Sequence, residues 1–146
     1  MGGIVARWRQ LSRAERSLLA EAIFALARSA LVVAFFPFRR AAASVRPLDG
    51  PAIDAEAQAL AARRVAWAVG ACARRVPWRA KCLEQGIAAH RMLRRRSVPA
   101  TLHYGVAQED GQLRAHAWLR AGPTDVTGCE NAHEFAELAR FPAPRA

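Results

Sequence analysis

Two short segments of this 146-residue chain carry the residue types needed for covalent chemistry on an acyl group. One is Lys81-Cys82-Leu83-Glu84-Gln85-Gly86. The other, with its histidine 34 residues after the cysteine, is Ala115-His116-Ala117-Trp118. Arg79 and Lys81 precede the thiol and Glu84 and Gln85 follow it, which places Cys82 at the opening of a helix. There the positive end of the helix dipole and the unpaired backbone N–H groups both favour a thiolate. His116 falls in an alternating stretch and shares a strand face with Trp118, while its alanine neighbours leave room for close approach. Thiolate and imidazole brought together by the fold form a nucleophile–base pair.

Such a pair needs a third group to orient the imidazole. If Gly122-Pro123 is a two-residue turn, Cys129 stands across from His116 with Glu130 beside it, and Asp125 stands across from Arg120. Asp125, Glu130 and the amide of Asn131 are therefore the candidates, with Asp125 favoured. Trp78, four residues before the thiol, is either a wall of the site, an indole donor to an oxyanion, or a core anchor. Cys72, inside an alanine-rich helix, and Cys129 read as small buried hydrophobes. His90, His103 and His133 carry no comparable pairing signal.

The elements that must position these residues follow from periodicity. Ser12 with Glu15 three residues later is a capping-box pattern, and Leu18, Leu19, Ala22, Ile23, Leu26 and Ala30 then recur at helical spacing, so a first helix is expected over Arg13–Ala34. Residues 39–51, with Ser44, Pro47, Asp49, Gly50 and Pro51, read as a linker. A second helix is expected over Asp54–Arg74, and Val76-Pro77-Trp78-Arg79 is a short connection. The thiol-bearing helix runs from Cys82 to Arg96, with three arginines at its negative end. From Ala100 the period becomes two. One strand runs to Ala107, Glu109-Asp110-Gly111 is a turn, Gln112–Arg120 returns, and Asp125–Thr127 is a short third strand. Ala132–Leu138 reads as a last helical turn before a proline-containing coil. This order gives an α+β domain with helices packed on one face of a small antiparallel sheet. Residues 1–50 form the amphipathic N-terminal helix and linker, and 51–146 the core.

Composition narrows the setting. Hydrophobic residues make up 53% and charged ones 23%, a globular balance. The net charge of +10 rests almost wholly on arginine, Lys81 being the one lysine; it points either to an acidic partner or to a solvated basic surface. Three cysteines without a CxxC pair argue against a disulfide framework and a structural zinc site, and for a reducing, cytoplasmic setting. No cofactor is called for. Around the apolar window Ser17–Phe38, the longest uncharged piece is Ser29–Phe38, short of the ~20 residues a bilayer core requires, so a docked helix rather than a membrane span is expected. Charges interrupt the segment after Arg7 and Arg9, and no small-residue cleavage site follows, which argues against a signal peptide.

Trp78-x-x-x-Cys82-Leu83, the run His90 to Arg96, the Leu102-His103-Tyr104-Gly105-Val106 strand and Ala115-His116-Ala117-Trp118 together resemble the leader peptidase of lasso-peptide biosynthesis, a family with a transglutaminase-like (papain-like) cysteine protease core. The resemblance covers about Pro77–Phe141, and the Leu11–Arg16 and Pro37–Arg40 segments are similar too. It implies Cys82 as nucleophile, His116 as base, and an acidic third residue on the strand after the histidine, where this chain aligns near Gly128-Cys129-Glu130. It also implies a precursor (leader) peptide as substrate, a separate leader-recognition domain acting in trans, and an ATP-dependent lasso cyclase downstream. The family tends to carry glycine where Ser97 stands. Two rival readings use the same residues. One is a non-enzymatic basic module for an acidic peptide or nucleic acid, against which the strands lack the interleaved aromatics of a single-strand reader, so no nucleic acid is expected. The other is amide or ester transfer through the same thioester.

Overall fold

The computed structural model describes residues 2–143. Five helices precede a four-stranded sheet: α1 (Gly2–Gln10), α2 (Arg13–Phe35), α3 (Phe38–Ala43), α4 (Ala55–Ala73), α5 (Cys82–Arg94), β1 (Thr101–Glu109), β2 (Gln112–Ala121), β3 (Thr124–Thr127) and β4 (Ala136–Phe141), with a single 3-10 turn at Ala132–Glu134 before the last strand. The sheet is antiparallel in the order β3-β2-β1-β4.

Local chemistry sets the helix ends. Ser12 accepts from the Glu15 N–H while Glu15 accepts from the Ser12 N–H, the full capping box. Asp54 caps α4 through the Ala57 N–H. At the C-terminus of α5, Val98 N–H bonds the Leu93 carbonyl and Ser97 N–H that of Arg94. This is a Schellman closure, and it puts Ser97 at φ 58. A left-handed position, which favours glycine, is thus held here by serine.

α2 lays Leu19, Ala22, Ala25 and Leu26 against α4 and α5. On the other side of α5, the buried sheet face carries Leu102, Ala117 and Leu119. The α4 residues Ala62, Val65, Ala68 and Val69 close the centre. Each fully buried leucine there contributes roughly 2 kcal/mol. Although α2 is long and apolar enough to cross a membrane, part of its surface is core. Its outer stripe is not: Phe24 is 76% exposed, Leu31 59% and Phe35 76%.

Three expectations are corrected. Residues 39–51 are not all linker, because α3 begins directly after Pro37 and buries Ala41 and Ala42. Gly2–Gln10 forms a helix that the pattern does not announce. Ala132–Leu138 is only a 3-10 turn followed by a strand, since pairing with the free edge of β1 outweighs the helix propensity of Ala, Glu and Leu. Pro144, expected in coil, lies outside the described residues.

Candidate active site

Cys82 is the first residue of α5 and is half-buried. The preceding Lys81 offers no side-chain cap, so no side chain competes for the first-turn N–H groups, which remain available to an anion. Two contacts hold this start in place. Gln85 Nε2 donates to the Ala80 carbonyl at 2.8 Å, and Arg79 Nε donates to Glu84 Oε1 at 3.1 Å. Glu84 is 2% exposed, and an ionised carboxylate in that position needs its guanidinium partner. The sequence shows Glu84 as one more polar neighbour of the thiol; its burial comes from the packing of α5 on the sheet.

Gly86, one turn beyond Cys82, permits that packing. A Cβ there would stand 2.5 Å from Leu102 Cδ1 and 3.8 Å from Thr127 Oγ1. Farther along α5, His90 lies against the backbone of Ala100. Passing from His90 to Gly86, α5 moves from Ala100 to Leu102 beneath it.

On β2, His116 donates its Nε2–H to the Gly128 carbonyl at 2.6 Å. A carbonyl only accepts, so the proton of the neutral ring sits on Nε2 and leaves Nδ1 as the basic nitrogen. The ring packs against Phe135, with centroids 4.8 Å apart, and stacks on Trp118 at 5.9 Å. Trp118 in turn stacks on His103 at 5.5 Å, and His103 Nδ1 pairs with Glu137 Oε1 at 2.6 Å. Arg140 and His103 together hold the Glu137 carboxyl down to about 2. The His103–Glu137 pair depends on β4, so sequence periodicity did not reveal it.

Strand alternation puts His116, Trp118 and His103 on one face and Ala117, Leu119 and Leu102 on the face that meets α5. Among the described residues no hydrogen bond joins Cys82 Sγ to His116. Asp125, the carboxylate favoured for orienting the imidazole, pairs instead with Arg120 at 2.9 Å. The turn at Gly122-Pro123 has the expected first rungs, Ala121↔Thr124 and Arg120↔Asp125, but an irregularity then shifts the register so that Leu119 meets Thr127. β3 ends there, and Gly128 at φ 67 turns the chain so that its carbonyl, rather than a side chain, reaches His116. Glu130 and Asn131 make no hydrogen bond to the ring among the described residues. A Cβ on Gly128 would lie 2.6 Å from the Ala117 carbonyl oxygen and 3.2 Å from His116 Nε2.

The other thiols are placed against reactivity. Cys72 is buried, and burial pushes its pKa up. Cys129 lies within 3.3 Å of the Leu119 carbonyl and 3.4 Å of the Thr127 carbonyl, and burial likewise raises it. Trp78 is anchored against the core, and its buried Nε1 has no partner among the described residues. Among the described residues no group of three His, Cys, Asp or Glu side chains is arranged to hold a metal ion.

A family model described as Transglutaminase-like superfamily matches residues 22–140. No curated protein and no solved structure gives a match.

Proposed function

The chain belongs to the transglutaminase-like superfamily, and from that premise we propose that it is a cysteine peptidase that removes the leader from a ribosomally made lasso precursor peptide. In this reading it works in the cytoplasm with a separate leader-recognition domain, and its product passes to an ATP-dependent lasso cyclase. The single observation that carries the proposal is the thiol standing first in a helix whose opening turn no side chain caps.

Cys82 Sγ attacks the carbonyl carbon of the scissile peptide bond, and its proton goes to His116 Nδ1, the nitrogen left bare by the bond to Gly128. Backbone N–H groups at the start of α5 donate to the developing oxyanion. Collapse of the tetrahedral adduct expels the amine, which takes its proton from His116 and leaves a thioester on Cys82. Water, deprotonated by the same imidazole, then hydrolyses the thioester and restores the thiol. The Gly128 carbonyl keeps the imidazole in one tautomer throughout, the role a carboxylate has in related triads. The mechanism requires the His116 ring to reach Cys82 Sγ from the sheet face opposite the one that meets α5, so substrate binding must rearrange the site to bring Nδ1 and Sγ to hydrogen-bond distance.

The outer stripe of α2, Phe24, Leu31 and Phe35, supplies the docking face for the recognition domain in this reading, since an exposed apolar patch of that kind marks a contact surface. The test is incubation of the purified chain with the precursor encoded beside it and the recognition domain, followed by mass measurement of the products. Release of an intact leader and an intact core, lost in C82A, supports the assignment. Cleavage that survives in C82A overturns it.

A further inference from the structure

The largest concentration of tryptophan in the molecule lies away from the sheet. A cavity of about 570 Å³ between α1, α2, α4 and the Val76–Trp78 connection is lined by Trp8, Trp67 and Trp78, with Arg7, Arg74 and Arg75 among its walls. None of these three guanidiniums forms an ion pair among the described residues. Leu19 and Ala71 supply apolar lining between them. At one wall stands Trp78, whose indole N–H is buried and has no acceptor among the described residues. A buried donor left unmade is costly in a finished core, and a carbonyl bound in the cavity would satisfy it once the indole turns toward it.

Resting on the peptidase reading above, we propose that this cavity binds the segment of the peptide substrate next to the scissile bond, and that it selects a bulky apolar side chain flanked by acidic ones. The tryptophans take the apolar side chain, the guanidiniums take the carboxylates, and a backbone carbonyl of the peptide accepts from Trp78 Nε1. Two observations support a peptide rather than another apolar anion. The orphan donor asks for a neutral carbonyl beside the anionic groups, and Trp78 is four residues from Cys82, so one short stretch of chain joins the cavity wall to the thiol.

The test is a fluorescence titration with C82A, which separates binding from turnover, since three of the four tryptophans line the cavity. The probe is acetyl-Glu-Glu-Phe-Leu-Glu-amide. Its controls are the lysine counterpart of each glutamate and sodium decanoate, an apolar anion without peptide carbonyls. The acidic peptide should produce a saturable change. Its affinity should fall roughly tenfold in R74Q/R75Q, the scale of losing two partly exposed ion pairs. It should fall further in A71W, which fills the cavity. I23E, which sets a like charge on the exposed Ile23 at its mouth, repeats the test without overpacking. Equal binding of the lysine peptide, binding unmoved by both A71W and I23E, or binding of decanoate with the acidic peptide silent would each overturn the proposal. Acidic-peptide binding that persists when no precursor is cleaved refutes the peptidase reading and leaves the binding site standing. Cleavage without such binding does the reverse.

Discussion

His90 gives the structure a built-in sensitivity to acid. It lies on α5 at 4% exposure, and burial, reinforced by the Arg94 charge, pushes it down to about 4, against a contact with the Ala100 backbone that acts in the opposite sense. An unfolded chain returns the ring to its ordinary value near 6.5. Between these values the unfolded state binds the proton that the native state refuses, so stability falls as pH falls. The contribution is fully present above about pH 6.5 and is lost progressively toward pH 4. From pH 7 to pH 4.5 the loss is about 2 kcal/mol, taking ~1.4 kcal/mol per pKa unit. For a chain of this size that is a Tm decrease of roughly 5–10 °C. Thermal unfolding by circular dichroism at half-unit pH steps measures it. Subtracting the same series for H90Q removes titration elsewhere, including Glu21 and Glu137, whose carboxyls are held below their ordinary range by Arg96 and by Arg140 with His103 respectively. If wild type and H90Q lose stability in parallel between pH 7 and 4.5, the reasoning is wrong.

Other substitutions separate the roles of neighbouring groups. G128A forces a Cβ into left-handed backbone and against the Ala117 carbonyl; shifting the acceptor of His116 should lower kcat/KM by roughly 10- to 100-fold. D125N, which removes an exposed pair with Arg120 and a contact with Cys129, should stay within about twofold of wild type; a large loss in D125N with little in G128A would return the orienting role to the carboxylate. S97G relieves a left-handed serine and should raise stability by about 1 kcal/mol with activity unchanged, read from the Tm; a lower Tm would show that the serine side chain is needed. A separate recognition domain should lower the apparent KM for the precursor and leave the rate at saturating precursor nearly unchanged, because tethering raises the local concentration of the scissile bond. Equal kcat/KM with and without that domain would show a self-sufficient peptidase.

Much of the fold is written in short-range chemistry. Ser12 with Glu15, Asp54, and the run opening at Cys82 mark three helix starts within a residue, and Asp110-Gly111 sets the β1–β2 register by its turn geometry. What local pattern does not carry is what depends on distant partners. β4 exists because β1 has a free edge, so an Ala-Glu-Leu segment becomes a strand. Without β4 the His103–Glu137 pair is invisible. α3 is six residues among turn formers, held by burying two alanines. At the site, Cys82 and His116 are recognisable by residue type and spacing, whereas a backbone acceptor has no residue type to recognise. The β3 irregularity followed by Gly128 at positive φ decides which atom meets the imidazole, and a one-residue register shift lies below what alternation resolves.

The central claim is that the acyl group passes through Cys82. The most direct measurement is acid-quenched mass spectrometry of the protein during turnover of its precursor with the recognition domain present, followed by proteolytic mapping of the adduct. The account predicts a thioester of the peptide fragment on Cys82, formed in wild type, C72S and C129S, missing in C82A, and strongly slowed in H116A. An adduct mapped to Cys72 or Cys129, or continued precursor cleavage by folded C82A, would contradict it.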